Sequence, residues 1–122
     1  RFLLHHVEAF PVRRDASDVR ALRETLRRLK KGLPVVVFPE GTRQGSGRER
    51  KIQPGIGFLA VKSGVPVVPV HIKGSENVLP PKTKMPKRGR VSVIFGKPLT
   101  FSAGQDYSDV VASIMREIES LA

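Results

Sequence analysis

Val35-Val36-Val37-Phe38-Pro39-Glu40-Gly41-Thr42-Arg43 runs from an unbroken apolar segment into a glycine-bearing turn and then an arginine. The apolar part does not alternate, so Val35 to Phe38 reads as a strand buried on both faces. Gly41 lets the backbone turn sharply or approach a ligand closely. Arg43 offers a planar fork of donors that suits phosphate or carboxylate. In open α/β sheets ligands gather beyond the carboxyl ends of strands, which is where Glu40 to Arg43 would lie. A local Glu40–Arg43 pair across the turn would account for the same residues.

Working outward, the segment on the N-terminal side predicts a helix. Ser17 or Asp18 can cap it, and Val19, Leu22, Leu26 and Leu29 fall on one stripe at helical spacing. Lys30 and Lys31 suit its C-terminal end and Gly32 its C-cap. Before it, Phe10-Pro11-Val12 is a short apolar piece followed by Arg13 and Arg14. Beyond the turn, residues 45–51 are polar and charged and read as a surface loop. Pro54 opens a second helix through Phe58, Leu59 and Val61, stopped by Gly64.

Val65 to Ile72 is another apolar extended segment. Pro66 and Pro69 each remove a ladder donor, which places it at an edge, a bulge or a strand end. Lys73 to Gly89 reads as a long irregular stretch. Arg90 to Phe95 is a further strand, closed by Gly96 and Pro98. A last helix carries Val110, Val111, Ile114, Ile118 and Leu121 on one side. The alternation of helices and strands gives an α/β class, with a mixed sheet flanked by helices, and the 122 residues fit one domain, 1–122, or part of one.

The formal net charge of +11 favours anionic partners. The cations fall in clusters, of which Lys82 to Arg90 is the densest. Any single cluster is also what a solvated face looks like. With six Phe, one Tyr and no Trp, and no Phe interleaved with the basic clusters, stacking on exposed bases is not favoured and nucleic acid is not expected. Cysteine is absent, which excludes disulfides and Cys-based metal sites and fits a reducing compartment. No apolar run approaches the roughly 20 residues that span a bilayer. No His, Asp and Glu set has metal-site spacing, so no metal is expected, and no cofactor.

Phe38-Pro39-Glu40-Gly41-Thr42-Arg43 resembles the third sequence block of the glycerolipid acyltransferases, the family of the 1-acylglycerol-3-phosphate (lysophosphatidate) acyltransferases. Val65-Pro66-Val67-Val68-Pro69-Val70 looks like the fourth block. Phe10-Pro11-Val12-Arg13-Arg14 is similar to the second, with Arg14 the better match to its arginine. The resemblance implies transfer of an acyl group from acyl-CoA or acyl-carrier protein to the free hydroxyl of a lysophospholipid. It implies that Arg43 contacts the acceptor phosphate with Arg14 as a second cation. Glu40, Gly41 and Thr42 would shape the pocket, and Pro39, Pro66 and Pro69 would support it.

The family's catalytic pair is His-x-x-x-x-Asp, the His acting as general base on the acceptor hydroxyl. Five residues after His5, His6 and His71 stand Phe10, Pro11 and Glu76, so none of the three histidines fits. The resemblance therefore implies that this chain carries the acceptor-binding part and no catalytic residue, either because the first block precedes Arg1 or because the chain is a relative that kept the phosphate site and lost the base. By itself such a segment is expected to expose apolar faces and to need detergent. Lys82, Lys84, Lys87, Arg88 and Arg90 are the expected contacts with an anionic membrane surface, on the cytoplasmic side of the membrane. A non-catalytic basic module for anionic lipid or nucleic acid is the competing reading.

Overall fold

The computed structural model describes residues 19–40, 52, 54–80, 83 and 85–122. The chain divides into two compact units, one ending at Val36 and the other running from Val37 to Ala122.

The described part of the first unit, residues 19–36, contains helix α1, Val19–Lys30. Its C-terminus closes as the glycine at 32 predicts. Gly32 has φ of +75°, its N–H donates to the Leu29 carbonyl, and the Leu33 N–H donates back to Arg28 at 3.1 Å. That crossed pair is a Schellman motif and satisfies two terminal carbonyls. On the helix surface Glu24 accepts from Arg27 Nε at 2.8 Å and from Arg28 Nε at 2.9 Å. These hydrogen bonds, the one from Arg27 first, hold its carboxyl down at about 2. Thr25 is the buried polar side chain of the helix, and its hydroxyl donates to the Ala21 carbonyl. The expected caps, Ser17 and Asp18, lie outside the described residues.

In the second unit α2 spans Gly55–Ser63, with Pro54 at its N-cap and Gly64 at φ +64° as its left-handed C-cap. Strand β1 is Val70–Lys73, α3 is the single turn Ser75–Val78, β2 is Ser92–Phe95 and α4 is Tyr107–Ser120. β1 and β2 pair antiparallel in the register Val70↔Phe95, His71↔Ile94, Ile72↔Val93, Lys73↔Ser92. The α/β class stands, and the strand ladder among the described residues is this antiparallel pair.

The core lies where α2 crosses α4. Ala60, Val61, Val110 and Ile114 are buried there, with Ile56, Val67, Leu99, Phe101 and Ile118 packed around them. Gly57 makes the crossing possible, because a Cβ at that position would overlap the Tyr107 carbonyl oxygen. Beside it the Phe58 and Tyr107 rings meet edge to face at 5.8 Å. Asp106 caps α4, accepting from the backbone N–H groups of Ser108 and Asp109 and from the Ser108 hydroxyl. Those hydrogen bonds favour its ionised form and lower its pKa.

One sequence expectation is corrected. Val35 to Phe38 is not a buried strand among the described residues: it has no regular secondary structure, and Val36 is 81 % and Phe38 66 % exposed. A strand exists only where a partner takes its N–H and C=O groups, and none of the described residues does so here. Val65 to Ile72 is extended and leads into a strand end, as its two prolines predict. It is extended up to Pro69 and joins the ladder only from Val70, with an isolated Val67↔Leu99 bridge before it.

Candidate functional site

Of the hexapeptide 38–43, the structure describes Phe38, Pro39 and Glu40. Phe38 is exposed, and Pro39 and Glu40 turn the chain and are half-buried. Gly41, Thr42, Arg43 and the second cation Arg14 lie outside the described residues.

The Pro-bearing segment divides into two roles. Pro66 is exposed. Pro69 is among the most deeply buried side chains, and its carbonyl accepts the Gly96 N–H at 2.8 Å. Each proline lacks the N–H that would continue the ladder, so pairing skips from the Val67–Leu99 bridge to Val70. Val67 and Leu99 exchange both backbone hydrogen bonds at 2.8 Å, which fixes this segment against the chain leading into α4. Pro69 is therefore packed into the fold, whereas Pro66 is exposed.

The basic stretch is the excursion between β1 and β2, residues 74–91. Its base is braced. Gly74 has φ of +87°, and a Cβ there would overlap the Arg90 carbonyl oxygen. The Lys87 N–H donates to the Val78 carbonyl at 2.7 Å. A Cβ on Gly89 would stand 2.8 Å from Val78 Cγ2. Lys73, Lys87, Arg88 and Arg90 are all exposed on this frame. Lys82 and Lys84 lie outside the described residues. Thr83 bonds back to the Pro80 carbonyl through its hydroxyl at 2.7 Å. The sequence marked the cations but not the brace. The signal available for the brace was a glycine at each end of a proline-rich run.

Near the start of α4 two shallow concavities of about 410 and 400 Å³ share Asp106 and Tyr107. The second is walled by Ile52, Pro54 and Val111. The Asp106 carboxylate faces them but is engaged as the helix cap. Sequence reasoning passed over Asp106, although an aspartate directly before a helical stripe is a capping signal.

The chain matches the family model described as Acyltransferase over residues 1–73, a span that contains all three segments singled out in the sequence. It is 38 % identical over 84 residues to the 1-acyl-sn-glycerol-3-phosphate acyltransferase BAT2, chloroplastic, of Brassica napus, covering 68 % of this chain and 24 % of that protein. It is 28 % identical over 96 residues to the 1-acyl-sn-glycerol-3-phosphate acyltransferase of Bacillus subtilis (strain 168), covering 79 % and 45 %. Its fold is similar to the crystal structure of the 1-acyl-sn-glycerophosphate (LPA) acyltransferase PlsC from Thermotoga maritima. The TM-score is 0.68 at 35 % identity, over 85 % of this chain and 45 % of that one. The chain thus spans less than half the length of each of these relatives. With a family match over residues 1–73 and a shared fold at that identity, this chain belongs to the Acyltransferase family.

Proposed function

We propose that this chain forms part of an enzyme that transfers a fatty acyl group from acyl-CoA or acyl-carrier protein to the free hydroxyl of lysophosphatidate or a related lysophospholipid. The observation that carries the reading is the family match over residues 1–73, which takes in Phe10–Arg14, Phe38–Arg43 and Val65–Val70 together. The names of the Brassica and Bacillus relatives supply the acceptor class.

In this reading the chain holds the acceptor. Arg43 pairs with its phosphate through charge-assisted hydrogen bonds and Arg14 adds a second cation. Gly41 lets the backbone come close, Glu40 and Thr42 shape the pocket wall, and Pro39, Pro66 and Pro69 keep the supporting backbone rigid. The hydroxyl of the bound acceptor attacks the thioester carbonyl, its proton passes to a general base, and the carrier leaves as a thiol. That base is not one of the histidines His5, His6 or His71. The enzyme works at a membrane surface on its cytoplasmic side, which it meets through the cations of Lys82 to Arg90.

The test uses the intact protein. Arg43→Ala should lower kcat/KM for lysophosphatidate by about 10- to 100-fold, the range for one charge-assisted contact to phosphate, with most of the loss in KM. Transfer at the wild-type rate would overturn the role given to Arg43. Absence of transfer by the unaltered protein, with binding to anionic lipid kept, would instead favour a non-catalytic lipid-binding module.

A further inference from the structure

The cations between β1 and β2 are not on a slack tether. The Gly74 turn, the Lys87–Val78 hydrogen bond and the Gly89–Val78 contact tie both ends of the excursion together. Two residues before Lys87, Met85 stands 78 % exposed, a flexible apolar side chain. Val91, at the base of the same excursion, is also largely exposed. Residues 73–91 contain six Lys or Arg, one carboxylate, Glu76, and no aromatic residue.

We propose that the excursion between β1 and β2 serves, on its braced base, as a membrane-docking finger, with Met85 entering the acyl region of an anionic phospholipid surface and Lys87, Arg88 and Arg90 at the phosphate level. The proposal rests on the reading that the acceptor is a lipid, and it assigns the lipid surface to one structured element. An exposed apolar side chain followed within five residues by three exposed cations suits the layering of a bilayer interface, where apolar side chains go inward and long basic stems reach back to the headgroups. Nucleic acid would call for stacking side chains, which this excursion lacks. An acidic protein surface would leave Met85 with no counterpart.

The preformed brace separates this finger from an unstructured polybasic segment, whose affinity depends on charge alone. The experiment measures partition of the intact protein, without acyl donor, onto phosphatidylcholine vesicles with and without phosphatidylglycerol. Lys87, Arg88 and Arg90 changed together to Gln should weaken binding to the anionic vesicles by about 100-fold, and flatten its salt dependence. Met85→Ser should weaken it roughly tenfold with every charge retained. Gly74→Ala, also charge-neutral, should weaken it severalfold if its melt is unchanged. If that variant unfolds, Met85→Ser decides alone.

Unchanged partition of Met85→Ser would overturn the finger in favour of a simple basic tether. Unchanged partition of the triple variant would overturn any role in docking. Acyl transfer to a monomeric short-chain lysophosphatidate keeps this failure apart from failure of the proposed function. Met85→Ser should leave that rate intact, whereas Arg43→Ala should not.

Discussion

The two ends of the second unit are built on opposite terms. Where α2 crosses α4, Val110 is 1 % and Ile114 3 % exposed, and the helices approach so closely that only glycine fits at position 57. In the β1–β2 hairpin every residue of β2 is exposed, with Val93 at 51 % and Phe95 at 69 %. Both regions are rich in aliphatic residues, so composition does not separate them. The helix pair closes on itself, each apolar stripe finding the other. The hairpin pairs its two strands but leaves Ile72, Val93 and Phe95, which the register puts on one face, open to solvent.

The strongest challenge to this contrast is a cut into the helix pair. Ile114→Ala should cost about 3 kcal/mol, the usual range for a buried aliphatic that leaves a cavity, read from urea denaturation. Gly57→Ala should cost roughly 2 kcal/mol, because the new methyl meets the Tyr107 carbonyl and the helices must part. Equal tolerance of both changes would show that the crossing is looser than described.

Asp106→Ala should produce a smaller drop in melting temperature by freeing the first N–H groups of α4. The same cap carries a pH signature. Its folded pKa is depressed, so its contribution is fully present above the unfolded carboxylate value near pH 4 and is lost as pH falls through the lowered one. The Ala variant should therefore lose less stability than the parent across that acid range. Smallest of all should be Val93→Thr, within about 0.5 kcal/mol, since the side chain is half in water already. A loss of several kcal/mol there would mean that the hairpin face is covered in the intact protein.

How far the sequence reaches follows the same division. Helix α2 was legible from Pro54 and Gly64, and the end of α1 from Gly32, because such signals act within a few residues. The face of α4 was legible from its period, though Met115, also buried, was not picked out beside Ile114. The start of β1 could be read in part, since prolines forbid pairing but do not say where it resumes. Val35 to Phe38 was misread because a strand is defined by its partner, and apolarity alone does not supply one. Of the prolines expected to support the candidate site, Pro69 is buried and Pro66 is exposed, a difference that their shared place in an apolar run did not reveal. The brace under the basic excursion went unseen, since Gly74 and Arg90 stand far apart in sequence and meet only through the hairpin.

That brace also bears on how such a chain can diversify. Once the ends of an excursion are pinned, doubling the length between them costs only about 0.6 kcal/mol of closure entropy. The crown between Val78 and Lys87 can gain or lose residues and exchange charge while the β1–β2 register stays as it is. The surface this hairpin offers can thus change in length and charge without disturbing the pairing beneath it.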